Sequence, residues 1–374
     1  MKILIGRTEL FEGLQRVFSV VPQKPTLPVL SNFLLKVSGG KLSISGTDMD
    51  ISISTVVECT AEGEGTVTIN AKRFIEIIRE LPDGDINLTI DDDRVTVDFK
   101  QGESSIMGMS SEGYPGIRES LDGNSIGISG DDFVEMVEKT SFSVAVDRTR
   151  LALTGVYWKV TSDDVIMVAT DGHRLSLFEK SVASELGQEV EAIVPPKALN
   201  QVVKIYSSGI KLVNVSFATG AVLFDFGSTM VFTKLIEGPY PNFRQVIPVD
   251  NSKKVTISKE SLLAAVRRVS VLSNAITHQI RLSVSSGSME LTTTNADIGG
   301  QAREAVSVKY EGESLIVGYN ASFLLEILRK IETDEVVLEL ESPTTACIIR
   351  PVKGEDQVSS GDYMYLIMPL RISD

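Results

Sequence analysis

Asn70–Leu81 (NAKRFIEIIREL), Pro195–Tyr206 (PPKALNQVVKIY) and Asn320–Ile331 (NASFLLEILRKI) are three versions of one segment. Each follows a strand-like run and sets apolar residues at helical spacing: Phe74, Ile77, Ile78 and Leu81 in the first, Leu199, Val202, Val203 and Tyr206 in the second. Lys72, Lys197 and Ser322 hold the same place in the three, 125 residues apart each time. A second amphipathic helix precedes each. Leu10, Leu14, Val17, Phe18 and Val21 share a face of its first copy, Phe133 and Val137 open the second, and Leu262, Val266 and Val269 mark the third. Between the paired helices run segments such as Lys41–Val57 (KLSISGTDMDISISTVV), where turn residues punctuate a period of two.

Shorter landmarks keep the same interval. Thr47-Asp48, Thr170-Asp171 and Thr294-Asn295 recur 123 and 124 residues apart. Pro115, Pro241 and Pro369, preceded by Tyr114, Tyr240 and Met368, recur 126 and 128 apart. Amphipathic helices recur in any mixed protein, but a shared interval across independent markers indicates duplication. The interval exceeds that of a solenoid repeat and has the size of a domain. The expected fold is therefore α+β: three copies of one domain, each with two helices packed on antiparallel strands. The polar stretches Glu119–Ser125 (ESLDGNS) and Asp250–Lys254 (DNSKK) read as linkers, giving domains over 1–120, 125–249 and 254–374.

Composition agrees with several domains. The chain has 374 residues, 43% hydrophobic and 23% charged, as in globular proteins. The apolar run Met1–Ile5 is too short for a signal peptide or membrane span, and no membrane partner is expected. Cys59 and Cys347 give neither a disulfide framework nor a metal spacing, which fits a cytoplasmic protein. No cofactor or metal is expected. The net charge of −14 argues, taken alone, against nucleic acid. The distribution argues otherwise: the six helical segments carry thirteen basic and ten acidic side chains, leaving +3 there and −17 elsewhere.

Three strings are more specific than the repeat: Ala169–Phe178 (ATDGHRLSLF), Lys24–Leu30 (KPTLPVL) and Tyr365–Ile372 (YLIMPLRI). With them the chain resembles, end to end, the bacterial sliding clamps, the beta subunits of DNA polymerase III. The resemblance implies a ring of six similar domains, built from two chains joined head to tail, with twelve helices lining the hole. Twelve helices about 10 Å wide leave an opening of roughly 28 Å, wider than a duplex.

The resemblance also implies partners and sites. It implies a processivity factor that encircles double-stranded DNA without reading sequence. It tethers the catalytic subunit of the replicative polymerase, the clamp loader and repair polymerases through short peptide motifs. DNA contacts fall to Lys24, Arg73, Arg79, Lys197, Lys204, Arg267 and Arg268. A peptide groove is implied at Leu153, Thr170, Gly172, His173, Arg174, Leu175, Pro241, Val246, Met368, Pro369, Leu370 and Arg371. The homodimer contact is implied near Ile106, Val271 and Leu272. Three departures from the family pattern stand out. Leu151 and Ala152 replace an aromatic pair found in some members, Ile298-Gly299-Gly300 stand where acids are common, and Ser373-Asp374 extend the terminal motif.

Two readings from other classes remain at this stage. His173 beside Asp171 could serve a hydrolase or transferase as general base and orienting carboxylate, although no nucleophile or phosphate loop completes such a site. A repeat-built scaffold that binds peptides without DNA is the third.

Overall fold

The structure is a computed structural model and describes residues 1–182, 188–206, 212–352, 354 and 361–372. Among these are six α-helices: α1 (Arg7–Phe18), α2 (Ala71–Glu80), α3 (Gly130–Thr140), α4 (Pro196–Ile205), α5 (Lys259–Ser270) and α6 (Ala321–Lys330). Every strand pairing described is antiparallel. The chain divides into two compact units, one of Met1–Val134, Ser184–Val190 and Val194–Ile236, the other of Glu135–Ala183, Glu191–Ile193 and Glu237–Asp374.

Sheet topology explains why three repeats give two units. In the first unit, strands Asn124–Ser129, Leu212–Ala218, Ala221–Asp225 and Thr229–Lys234 of the middle repeat continue into Ile51–Glu58, Lys41–Thr47, Asn32–Ser38 and Gly65–Asn70 of the first, one eight-stranded sheet. In the second, Val156–Val160, Asp164–Thr170 and Arg174–Ser181 of the middle repeat continue into Asp362–Ile367, Cys347–Pro351, Glu335–Leu340 and Lys253–Ser258 of the third. A five-stranded sheet completes the first unit and a four-stranded sheet the second.

The expected helices lie where their spacing puts them, and local chemistry sets their ends. Asn70 and Asn320 cap α2 and α6, accepting from the amides of Arg73 at 3.1 Å and Ser322 at 2.9 Å. The middle repeat has Pro196 at the first helical position, where no donor is needed. Helix α1 ends at Phe18, so Val21 lies beyond it. Its Leu10, Leu14 and Val17 are fully buried, and a Cβ on Gly13 would sit 2.8 Å from Val57, so this helix packs closely on its sheet.

The first residue of one helix tends to satisfy the open carbonyls of the next. Arg7 donates to the carbonyl of Ile78 at 3.0 Å and to that of Arg79, and Lys259 donates to Ile331 at 3.2 Å. The middle repeat has Gly130 and Asp131 there instead, and Asp131 accepts from the Tyr206 hydroxyl at 2.5 Å. These contacts correct the helix charge count. Arg7 and Lys259 serve helix ends, and Lys139 is buried. The thirteen basic residues therefore overstate the outward-facing charge.

Candidate peptide groove and basic faces

The landmark Thr-Asp pairs fold the same turn twice. In the first unit Thr47 Oγ1 donates to Ile51 O at 2.8 Å and accepts from the Met49 amide, while Asp48 Oδ1 accepts from the amides of Asp50 and Ile51. In the second, Thr170 donates to Arg174 O at 2.6 Å and accepts from Gly172, while Asp171 accepts from the amides of His173 and Arg174. Met49 at φ 83° and Gly172 at φ 88° take the same left-handed position. Gly172 also lies close to Arg150: a Cβ there would meet the guanidinium at 2.6 Å, and that side chain would have to move. Arg150 also donates to Asp171 O at 2.8 Å and closes one side of the turn.

That turn forms one bank of a pocket of about 860 Å³ in the second unit. Leu175, nearly fully buried, lies on its floor, and half-exposed Val246 and Met368 stand at its rim. Of the twelve residues expected here, Leu153, Thr170, Gly172, Arg174, Leu175, Pro241, Val246 and Met368 line it. His173, Pro369, Leu370 and Arg371 do not. His173 is exposed and its ring faces Phe323 at 6.3 Å. Leu370 is drawn off by its amide, which donates to Gly318 O at 2.8 Å, and the Arg371 carbonyl accepts from Gln279.

The sequence reading missed more than half of the wall. Phe243 and Val246 belong to a short 3-10 turn, Phe243–Val246, and Tyr240 stacks on Tyr157 at 4.9 Å behind it. Ile247, Pro248, Ala346 and Leu366 also line the pocket. The proline-flanked segment Pro241–Pro248 (PNFRQVIP), with Phe243, Val246 and Ile247 as its apolar residues, was the available signal for Phe243, Ile247 and Pro248. Leu366 reaches the pocket through sheet pairing opposite Leu175, and Ala346 from just before strand Cys347–Pro351. Leu151 and Ala152 line it as well, so an aliphatic edge replaces the aromatic pair.

The catalytic alternative finds no geometry. Asp171 spends its carboxylate on two amides and the Arg174 guanidinium, and the His173 imidazole has no hydrogen-bond partner among the described residues. A base without an orienting group or a proton to take does not make a site.

Lys24, Arg73, Arg79, Lys197, Lys204, Arg267 and Arg268 are all exposed. They differ in freedom. Lys197 is ion-paired with Asp48, Arg79 with Glu80, and Arg268 with Glu304, whereas no side-chain partner occurs for Lys24, Arg73, Lys204 or Arg267 among the described residues. Each unit also leaves a sheet edge uncovered. These edges are strand Gly102–Met107 in the first unit, which carries Ile106, and strand Gly300–Ser307 in the second. Near the latter, Val271 is 75% and Ile298 63% exposed, and Leu272 is half-buried against Gly300.

Comparison with known proteins agrees across the chain. The N-terminal, central and C-terminal domain models of the DNA polymerase III beta subunit match residues 1–118, 127–242 and 244–371. The beta sliding clamps of Caulobacter vibrioides (strain NA1000 / CB15N) and Haemophilus influenzae are 31% and 30% identical, with 100% of each chain covered. A solved DNA polymerase sliding clamp from Pseudomonas aeruginosa with ligand has a TM-score of 0.94 at 27% identity, covering 100% of both chains. A sliding clamp from Bartonella birtlesii bound to griselimycin has a TM-score of 0.92 at 28%, also over both whole chains.

Fold and comparisons define the class: DNA sliding clamps, non-catalytic processivity factors of replication. The chain belongs to the DNA polymerase III beta subunit family and carries three beta-clamp domains of mixed helix and antiparallel sheet.

Proposed function

We propose that two copies of this chain join head to tail, close around duplex DNA and hold replication and repair proteins on it. The three domains are taken as 1–120, 125–249 and 254–374. The observation that carries the reading is the pair of uncovered edges, Gly102–Met107 and Gly300–Ser307, in a chain whose three thirds match beta subunit domains. Pairing one copy's first edge with the other's second covers both of these edges, and two such junctions close a ring. Ile106, Val271 and Leu272 supply apolar contact at that junction, and Ile298 adds to it where relatives are acidic.

DNA is held by non-specific phosphate attraction to Lys24, Arg73, Arg79, Lys197, Lys204, Arg267 and Arg268. The pocket around Leu175, Val246 and Met368 takes short peptides with apolar anchors from the polymerase catalytic subunit, the clamp loader and repair polymerases. Each buried anchor contributes roughly 1.5–3 kcal/mol before ordering costs, so two or three leave affinity on the order of micromolar. Among the described residues no helix is long and apolar enough to cross a membrane. The clamp reading puts the protein with its DNA in the cytoplasm.

Retention on closed circular DNA tests the reading. Protein loaded on a nicked circle is expected to stay through gel filtration and to be lost when the circle is cut once. Equal retention on circle and linear fragment would rule out encirclement.

A further inference from the structure

Arg174 is the most constrained charged side chain in the groove wall. It is 7% exposed, and its guanidinium is fixed in three directions: Nε donates to Asp171 Oδ2 at 3.1 Å, Nη1 to Glu326 Oε2 at 2.5 Å, and Nη2 to Phe142 O at 3.0 Å. Its faces lie against two rings, Phe323 at 4.5 Å and Phe142 at 5.4 Å. Asp171 is a local partner, part of the same turn. Glu326 is not: it lies 152 residues away on α6, with 43% of its side chain still open to solvent.

Helix α6 therefore reaches the groove from behind. Phe323, one turn before Glu326, faces both the Arg174 guanidinium and the His173 ring. The strand that leads into α6 holds the chain end through Gly318 O and the Leu370 amide, and the Met368 amide donates to His173 O at 2.8 Å. The turn and the terminal segment, the two banks of the groove, are thus tied to each other and to one helix.

We propose that Glu326 is a positioning residue of the groove, holding Arg174 paired so that the wall beside Leu175 can be stripped of water when a peptide binds. This rests on the peptide-groove reading above. Without Glu326, the Nη1 side of the guanidinium in the free groove is solvated by water. When an apolar anchor covers it, that water leaves and the Nη1 side of the charge keeps no anionic partner, so the penalty falls on the bound state and on dissociation. Asp171 meets the guanidinium in one direction only, its Oδ2 at Nε while its Oδ1 takes the two amides, so Nη1 depends on Glu326 for a charge-assisted hydrogen bond.

The test is the affinity of a fluorescein-labelled hexapeptide with Leu and Phe anchors for the full-length protein. Glu326→Gln keeps shape and a hydrogen bond but loses the charge. It is expected to weaken binding roughly tenfold, mostly through faster dissociation, and to leave thermal unfolding near that of the parent. Glu326→Asp should recover part of the loss. In an Arg174→Met background, where no guanidinium needs a partner, Glu326→Gln should cost nothing further. Unchanged affinity for Glu326→Gln, or the same loss with and without Arg174, overturns the proposal while the groove stands. Failure of the parent protein to bind the peptide at all overturns the groove reading and the proposal with it.

Discussion

Lys139 turns its ammonium inward to Glu332, 2.7 Å away, although it sits on a helix that was expected to present its charges outward. The same ammonium donates to Lys330 O at 2.6 Å and lies 4.8 Å over the Tyr363 ring. It thereby closes the C-terminal end of α6, where carbonyls lack helical partners and the dipole is negative.

Lys139 is accordingly expected to matter for stability and not for DNA. Lys139→Ala removes a buried donor from two acceptors and is expected to destabilise by about 1–3 kcal/mol, read as a lower melting temperature. Glu332→Gln should cost less, since 80% of that side chain stays in water. A Lys139→Ala protein that melts like the parent but falls off circular DNA would reverse the assignment.

Arg267 and Arg268 make a sharper comparison on α5. Arg268 donates to Glu304 through Nε at 2.9 Å and also through Nη2, and this hydrogen bond holds the Glu304 carboxyl below the usual carboxylate range. The lowered pKa means that Glu304 protonates, and the pair loosens, at a lower pH than for an ordinary glutamate. Arg267 has no such partner among the described residues. Arg267→Glu should therefore shorten retention on DNA more than Arg268→Glu, and the difference should shrink as salt rises. Equal losses at low salt would mean that the ion pair does not restrain Arg268.

At the sheet edges the expectation concerns oligomeric state. Ile106→Asp places a charge near the end of strand Gly102–Met107, and Val271→Asp places one at the exposed end of α5. Either change should shift sedimentation toward a single chain at micromolar concentration, without loss of secondary structure by circular dichroism. A parent protein that sediments as a monomer in the same range removes the edge-pairing argument.

Much of this was legible in residue types at intervals. The 125-residue interval located α2, α4 and α6 because Asn70, Pro196 and Asn320 are start signals that act locally. The Thr-Asp landmarks marked two copies of the same turn because its hydrogen bonds span only four residues. What stayed hidden depends on long-range register. Leu366 reaches the groove because it stands opposite Leu175 across paired strands, and Glu326 because α6 packs beneath that strand pair. Lys139 was misread because helical periodicity says which face is apolar, not whether a long cation on its border folds inward.

Register also gives the last prediction, that each chain binds one peptide and not two. The junction in the first unit copies the one that carries the groove: Phe232 stands opposite Ser52 as Leu366 stands opposite Leu175. The Lys234 amide donates to Asp50 O as the Met368 amide donates to His173 O. The side chains differ where it counts. Ser52 replaces the leucine floor, Lys234 replaces Met368, and Lys234 pairs with Asp50 at 3.1 Å across the place where an anchor would enter. Leu121 and Arg118 already pack on Phe232. A peptide there would have to displace covered apolar surface and strip a charged pair of water, with no leucine beneath to compensate. Titration calorimetry with the Leu- and Phe-anchored hexapeptide should therefore give one site per chain, and Lys234→Met with Asp50→Ala should leave peptide binding at the groove unaltered. A stoichiometry of two on the parent protein, or loss of a site in the Lys234→Met, Asp50→Ala protein, would show that the first junction binds peptides too.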